Sequence, residues 1–356
     1  MKPATPEALI AAIHAGREAH ELDLRGTALR GAALCGGVFN ACDFSRADLA
    51  GADLRQSSFF DCRFDEAKLD GAQVQDSFFV RCHVTAGSWR AAACLNTNFA
   101  DCQFADTDLR DADLGLVVFA QSSLERVRLN GARTDRANWL ACQLKAVDFG
   151  DTLLDRIVVL KADLRDSRFV GATLANVVFL QCQLGGLDFA RADLSRSQFI
   201  GADVSGCNFS GAALRQCNFQ GGKAAAARFV GADARQAIFM EAELAGADFS
   251  GAKLGQAIFV GAKGVGVRFA KADLRQAVLT KAVFQQADFS GAQLDEADAS
   301  HADLRGADLR GASLFRTRLH GVQAHEALFT DRMRALPTDE VLLAAEQWTP
   351  RRVPAA

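Results

Sequence analysis

From Leu24 to Phe329 the chain repeats every five residues without a slip of frame. Of 62 consecutive frames, centred on residue numbers ending in 4 or 9, 49 carry Leu or Phe at the centre. A period of five fits neither a helix, at 3.6, nor a continuing strand, at 2.0, so the backbone must bend once per repeat. Internal repetition on this scale outranks any local propensity. With the central residue called i, position i−2 is usually small, i−1 is often Asp, Asn, Gln or Arg, and i+1 and i+2 are commonly polar or Gly; Ala47-Asp48-Leu49-Ala50-Gly51 is a clear copy. Two inward residues, i−2 and i, between outward ones make a very short strand, and a Gly-rich i+2 suits a turn. Each repeat is then one side of a coil.

The number of sides follows from longer spacings. Cys42, Cys62, Cys82, Cys102, Cys142 and Cys182 all occupy i−2 at multiples of twenty residues. A second series, Phe39, Phe59, Phe79, Phe99, Phe119, Trp139, Phe179, Phe199, Phe219, Phe239 and Phe259, shares one twenty-residue register and is broken by Val159. Twenty residues per turn give four sides. The triplets Ala52-Asp53-Leu54, Ala162-Asp163-Leu164, Ala192-Asp193-Leu194, Ala302-Asp303-Leu304 and Ala307-Asp308-Leu309 match the A(D/N)LXX motif. Over roughly residues 22 to 331 the sequence thus resembles the pentapeptide repeat family. That resemblance implies an all-β fold, a right-handed quadrilateral β-helix. At ~4.8 Å per step, about 15 coils predict a rod roughly 75 Å long.

Three segments are expected: an N-terminal capping helix segment over 1–21, the solenoid over 22–331, and a C-terminal helix and tail over 332–356. Thr5 reads as an N-cap, with Pro6 at the first helical position and Gly16 just past the end. Thr338-Asp339-Glu340 opens a second helix through Val341–Ala345, with Trp348 near its finish and Pro350 beyond. A solenoid needs capped ends, so this helix is expected to cover the last coil; dimerisation, as by the C-terminal segments of some pentapeptide repeat proteins, is the alternative.

The chain shows no apolar run of about 18 residues and no signal-peptide pattern, so the expectation is a cytoplasmic protein without a membrane span. Eight of the ten cysteines occupy the small inward position where Ala substitutes freely, so they read as core filler rather than disulfides or metal ligands. The six histidines are scattered; His301 and His320 are placed on adjacent coils, with His325 around the corner, and read as solvated surface residues. Gly261, Gly264 and Gly266 lie in frame with no helix following, which excludes a phosphate loop. No catalytic residue, cofactor or metal is expected, and the protein is read as a non-enzyme. In the core, Ala224, Ala234 and Gly264 replace larger central residues, leaving either compensation by the neighbouring Phe219, Phe229, Phe239, Phe249, Phe259 and Phe269 or a slimmer, bent coil near 221–266.

One outward face is unlike the others. On the side carrying the Phe39 register, i−1 supplies Val38, Phe78, Val118, Val158, Val178, Ile238, Ile258 and Val278, and i+1 supplies Phe60, Val80, Leu140, Leu160, Leu180, Ile200, Met240 and Val260. These are 16 large apolar residues in 26 outward sites, against two or three on each other face. Strand propensity alone would favour Val and Ile on all four faces. A stripe on the order of 600 Å² matches or exceeds the largest apolar patch of a typical monomer and marks a contact surface. By contrast, Asp148, Arg168, Asp188, Asn208, Arg228, Asp248, Arg268 and Asp288 form a solvated face whose charges largely alternate. Arg156, Arg196, Arg215, Arg235, Arg275 and Arg316 have acidic neighbours and make no nucleic-acid stripe.

The function expected is a non-enzymatic scaffold presenting the apolar face to a partner protein or to its own copy, with Leu140, Val158, Leu160, Val178, Leu180 and Ile200 dominant. Within that class the uninterrupted rod is similar to pentapeptide proteins among accessory components of bacterial secretion systems, including type VI. The family resemblance also implies an alternative, a DNA-mimicking protein that binds DNA gyrase and confers fluoroquinolone resistance. Such mimicry needs a dominant negative surface, whereas here 43 acidic residues face 40 basic ones, a net charge of −3.

Overall fold

The computed structural model describes residues 2–348. It is a parallel β-solenoid of about 16 turns with two short helices. The turns fall into two compact units, one running to Asp188 with Ala192–Asp203, the other comprising Phe189–Arg191 and the chain from Val204.

In the first unit the twenty-residue turn is explicit in the strand register. Val38–Asn40, Ser58–Phe60, Phe78–Val80, Asn98–Ala100, Val118–Ala120, Asn138–Leu140, Val158–Leu160 and Val178–Leu180, with Ala19–His20 at the edge, form a nine-stranded parallel sheet. A neighbouring side carries a four-stranded sheet from His83–Thr85 to Gln143–Lys145. In the second unit most sides narrow to single parallel bridges, Ile238 to Ile258 and Lys253 to Asp273 among them, still twenty residues apart.

Many of the bends between sides are hydrogen-bonded type II turns. Ala47 N–H donates to Phe44 O at 2.9 Å and Ala52 N–H to Leu49 O at 3.0 Å. The i+2 residue lies in the left-handed region, which Gly51 at φ 65° occupies freely and Ala226 at φ 54° only with strain.

Position i−2 does more than fill space. Ser77 Oγ donates to Leu54 O at 2.8 Å, Thr97 Oγ1 to Val74 O at 2.7 Å and Thr152 Oγ1 to Leu129 O at 2.8 Å, each 23 residues back on the preceding turn. The cysteine column does the same, Cys42 Sγ with Ala19 O at 3.2 Å and Cys142 Sγ with Phe119 O at 3.2 Å. Where Ser, Thr or Cys stands at i−2 in place of the commoner Ala, it adds a hydrogen bond to a buried carbonyl of the preceding turn. Thr97→Val keeps the shape and removes the donor; about 1–2 kcal/mol of stability should be lost in chemical unfolding, and a neutral result would remove this role for the hydroxyl.

The core is a set of ring columns. In the first unit Phe39, Phe59, Phe79, Phe99 and Phe119 stack at 4.5–4.9 Å between centroids. In the second, the Phe219, Phe239, Phe259 column meets the Phe229, Phe249, Phe269 column edge to face. At Gly264 the missing side chain is compensated: a Cβ there would stand 3.1 Å from the Phe284 ring, which fills that space.

The two ends differ. Helix α1, Pro6–His14, is capped by Thr5, whose Oγ1 accepts from Ala8 N, and it buries Leu9 and Ile13 against the first turn. Helix α2, Glu340–Glu346, takes Asp339 as its N-cap and buries no residue; Val341 and Trp348 are 82% and 72% exposed. The last turn is instead edged by extended chain that leaves the five-residue frame, with Arg316 N–H donating to Arg334 O, Leu336 N–H to Thr317 O and Leu319 N–H to Leu336 O. Of the apolar side chains of α2, Val341 and Leu342 are exposed and Leu343 is half-buried, so this helix covers the last turn only in part. Pro350 lies outside the described residues.

Candidate interaction face

The apolar face coincides with the nine-stranded sheet in the first unit. Its side chains rise in register, Val158 beside Val178 and Leu160 between Leu140 and Leu180. Phe78 is 50% and Val38 39% exposed. Phe60, Val80, Val118, Leu140, Val158, Leu160, Val178, Leu180 and Ile200 are half-buried because each shields its neighbour one turn away. The surface offered is thus a close-packed ridge of side-chain ends. Strand propensity accounts for part of this in the first unit. In the second unit Ile238, Ile258 and Val278 sit at single bridges with Met240 and Val260 beside them, half-buried and without three-residue strands, so the apolar composition outlasts the strand geometry.

The charged positions are neutralised locally. In Asp-Leu-Arg triplets the Asp at i−1 accepts from the backbone N–H at i+1 and clasps the same residue's guanidinium: Asp23 with Arg25, Asp53 with Arg55, Asp108 with Arg110, Asp163 with Arg165, Asp303 with Arg305 and Asp308 with Arg310, all at 2.6–2.9 Å. The motif acid is a turn residue with its own counter-ion. On the alternating face Arg168 pairs with Asp148 at 3.3 Å and Arg268 with Asp248 at 2.7 Å. Arg156 reaches Asp135 and Asp155, Arg215 and Arg235 share Asp233, and Arg275 holds Asp273, so these arginines form no free basic stripe. One polar feature escaped the sequence reading: an amide ladder on i+2, Gln216 to Gln236, Gln256, Gln276 and finally Glu296, at 2.8–3.1 Å per step.

The bonded guanidinium holds the carboxyls of Asp23, Asp303 and Asp308 down at about 2. A folded value below the unfolded one of about 3.9 means the stabilisation is complete above pH ~4 and lost as pH falls through about 2. Tm should therefore hold from neutrality to about pH 4.5 and decline towards pH 2, and Arg305→Gln with Arg310→Gln should shrink that decline; an equal decline in the variant would detach it from these pairs.

All ten cysteines are free; Cys35 is exposed and the others are buried. Burial pushes the thiols of Cys142 and Cys182 up to about 11, which leaves them protonated and unreactive at neutral pH. His301 and His320 are neighbours, their rings 5.1 Å apart, while His325 is exposed beside Glu326. Glu346, which no spacing in the sequence connects to them, lies 3.2 Å from His301 and 3.1 Å from His320. Among the described residues no helix is long and apolar enough to cross a membrane.

Family profiles match most of the solenoid. Pentapeptide repeats (8 copies) cover residues 23–59, 97–133, 265–294 and 292–331, and a pentapeptide repeat region covers 172–249. The chain belongs to the pentapeptide repeat family. Solved structures similar to this pentapeptide repeat protein include HetL, involved in heterocyst differentiation regulation in the cyanobacterium Nostoc, at 23% identity over 64% of this chain and 86% of that one, with TM-score 0.24. Full-length QnrB1, a plasmid-mediated fluoroquinolone resistance protein, matches at 21% identity over 56% and 94%, with TM-score 0.29. A pentapeptide repeat protein of the Arabidopsis thaliana thylakoid lumen matches at 28% identity over 34% and 71%, with TM-score 0.23. Among curated proteins none matches.

Proposed function

We propose that this pentapeptide repeat protein is a non-enzymatic scaffold that docks another protein on its apolar face. The observation that carries this is the concentration of large apolar side chains on one of four chemically distinct sides, where they form a ridge along the nine-stranded sheet of the first unit that is interrupted at Asn98 and Ala100. The strands inside that sheet are fixed by backbone bonds to both neighbours before any partner arrives, so little ordering entropy opposes docking. The middle of the ridge, Leu140, Val158, Leu160, Val178, Leu180 and Ile200, is where binding energy should concentrate. A second copy of the chain meets the same chemical requirement as a different protein, and light scattering over a hundredfold concentration range separates them. A stable dimer disrupted by Glu at 160 and 180 assigns the face to self-association, a monomer assigns it to another protein, and a dimer indifferent to those changes removes the face from the interface. The DNA-mimicking alternative is disfavoured by the Asp-Leu-Arg clasps, which place a cation on the motif carboxylates that a phosphate-like surface would need free. Purified gyrase in a supercoiling assay tests it: inhibition at micromolar protein would reinstate that reading.

A further inference from the structure

We infer that His301, His320 and Glu346 form a binding site for one divalent transition-metal ion of the zinc class, which fastens α2 to the last turns of the solenoid. The two histidines come from adjacent turns, held by His301 N–H donating to His320 O at 2.8 Å. Their Nε2 atoms lie 3.2 Å and 3.1 Å from one Glu346 oxygen, and the nearest donor atoms of all three residues fall within 4.8 Å of one another. A tetrahedral ion with bonds of about 2.0–2.1 Å holds its ligand atoms about 3.3 Å apart, so the two histidine–carboxylate separations already match. Two imidazoles and a carboxylate are a donor set suited to zinc, cobalt or nickel, with a fourth position left for water.

Two further details bear on the site. His320 is nearly buried, its side chain 13% exposed, whereas His20 and His325 are 58% and 83% exposed and the outward His83 is half-buried. Gly321 keeps the space beside it open, since a Cβ there would stand 2.5 Å from His301 Nδ1. One contact must change: Asp339 N–H donates to His320 Nδ1 at 3.3 Å, and a ring ligated through Nε2 carries its proton on Nδ1. That long hydrogen bond at the N-cap of α2 is exchanged for metal–ligand bonds. The site is independent of the apolar face and stands or falls separately from the scaffold reading.

Cobalt(II) titration of the full-length chain, stripped with chelator and carrying Cys35→Ser to remove the exposed thiol, tests the inference. One equivalent should bind saturably, with visible d–d bands and no sulfur charge-transfer band, and zinc should displace it. His301→Asn, which tolerates the left-handed φ of 59°, and Glu346→Gln should each weaken binding at least tenfold while leaving the circular dichroism and Tm of the metal-free protein unchanged. Hydrogen exchange of the α2 amides should slow on adding zinc in the parent and not in the variants. Absence of saturable uptake at 100 µM protein, a sulfur band, or undiminished binding in either variant would each overturn the site.

Discussion

Phe239→Ala should destabilise the second unit by about 3–5 kcal/mol in chemical unfolding, the largest effect expected of any single substitution here. Phe239 is fully buried, stacked on Phe219 and Phe259 at 4.9 Å on both sides, and met edge-on by Phe229 at 5.7 Å and Phe249 at 5.3 Å. Removing one ring from a column opens a void that both neighbours line, and the fixed stacking of the backbone keeps the turns from closing over it. The penalty should stay local, because each turn touches only the next, so the transition of this unit should move while distant turns keep their hydrogen-exchange protection. Phe239→Leu should cost clearly less, since most of the volume remains. A loss below 1 kcal/mol for the Ala variant would mean that the columns repack freely and are not the source of rigidity.

Leu160→Glu with Leu180→Glu should weaken binding on the apolar face by a hundredfold or more. The two residues are directly paired across adjacent turns in the nine-stranded sheet. Two carboxylates there add repulsion to the lost apolar area, and a like-charged cross-strand pair costs some stability by itself. The effect on binding is isolated by Leu160→Thr with Leu180→Thr, which keeps strand propensity and introduces no charge. That pair should retain the Tm of the parent and still lose most of the affinity. If the Thr variant binds as the parent does, the ridge is a device of strand stability and the contact lies elsewhere.

Both predictions draw on features readable from the chain alone. The five-residue period compels a bend per repeat, and the twenty-residue series of Cys42 and Phe39 places four sides in each turn; the bridges twenty residues apart reproduce this register in both units. The apolar side was legible for the same reason, since a fixed period turns position in sequence into position on a face. Local chemistry was partly legible. The Asp-Leu-Arg triplets are plain in the sequence, yet counting charges misses that the acid at i−1 and the arginine at i+1 project from the same side within bonding distance.

The sequence by itself determined whatever repeats: side length, turn length, the inward pair, and the face that carries Leu160 and Leu180. Each of those contacts spans a fixed twenty residues, so one frame specifies all of them. Tertiary structure decided whatever breaks the period. The extended chain at Arg334 and Leu336 edges the last turn where α2 had been expected. Glu346 meets His301 and His320 across separations of 45 and 26 residues that match no multiple of the turn. Beyond Phe329 the frame ends, and with it the rule that converts sequence distance into spatial distance; only the folded chain shows which side chains meet there.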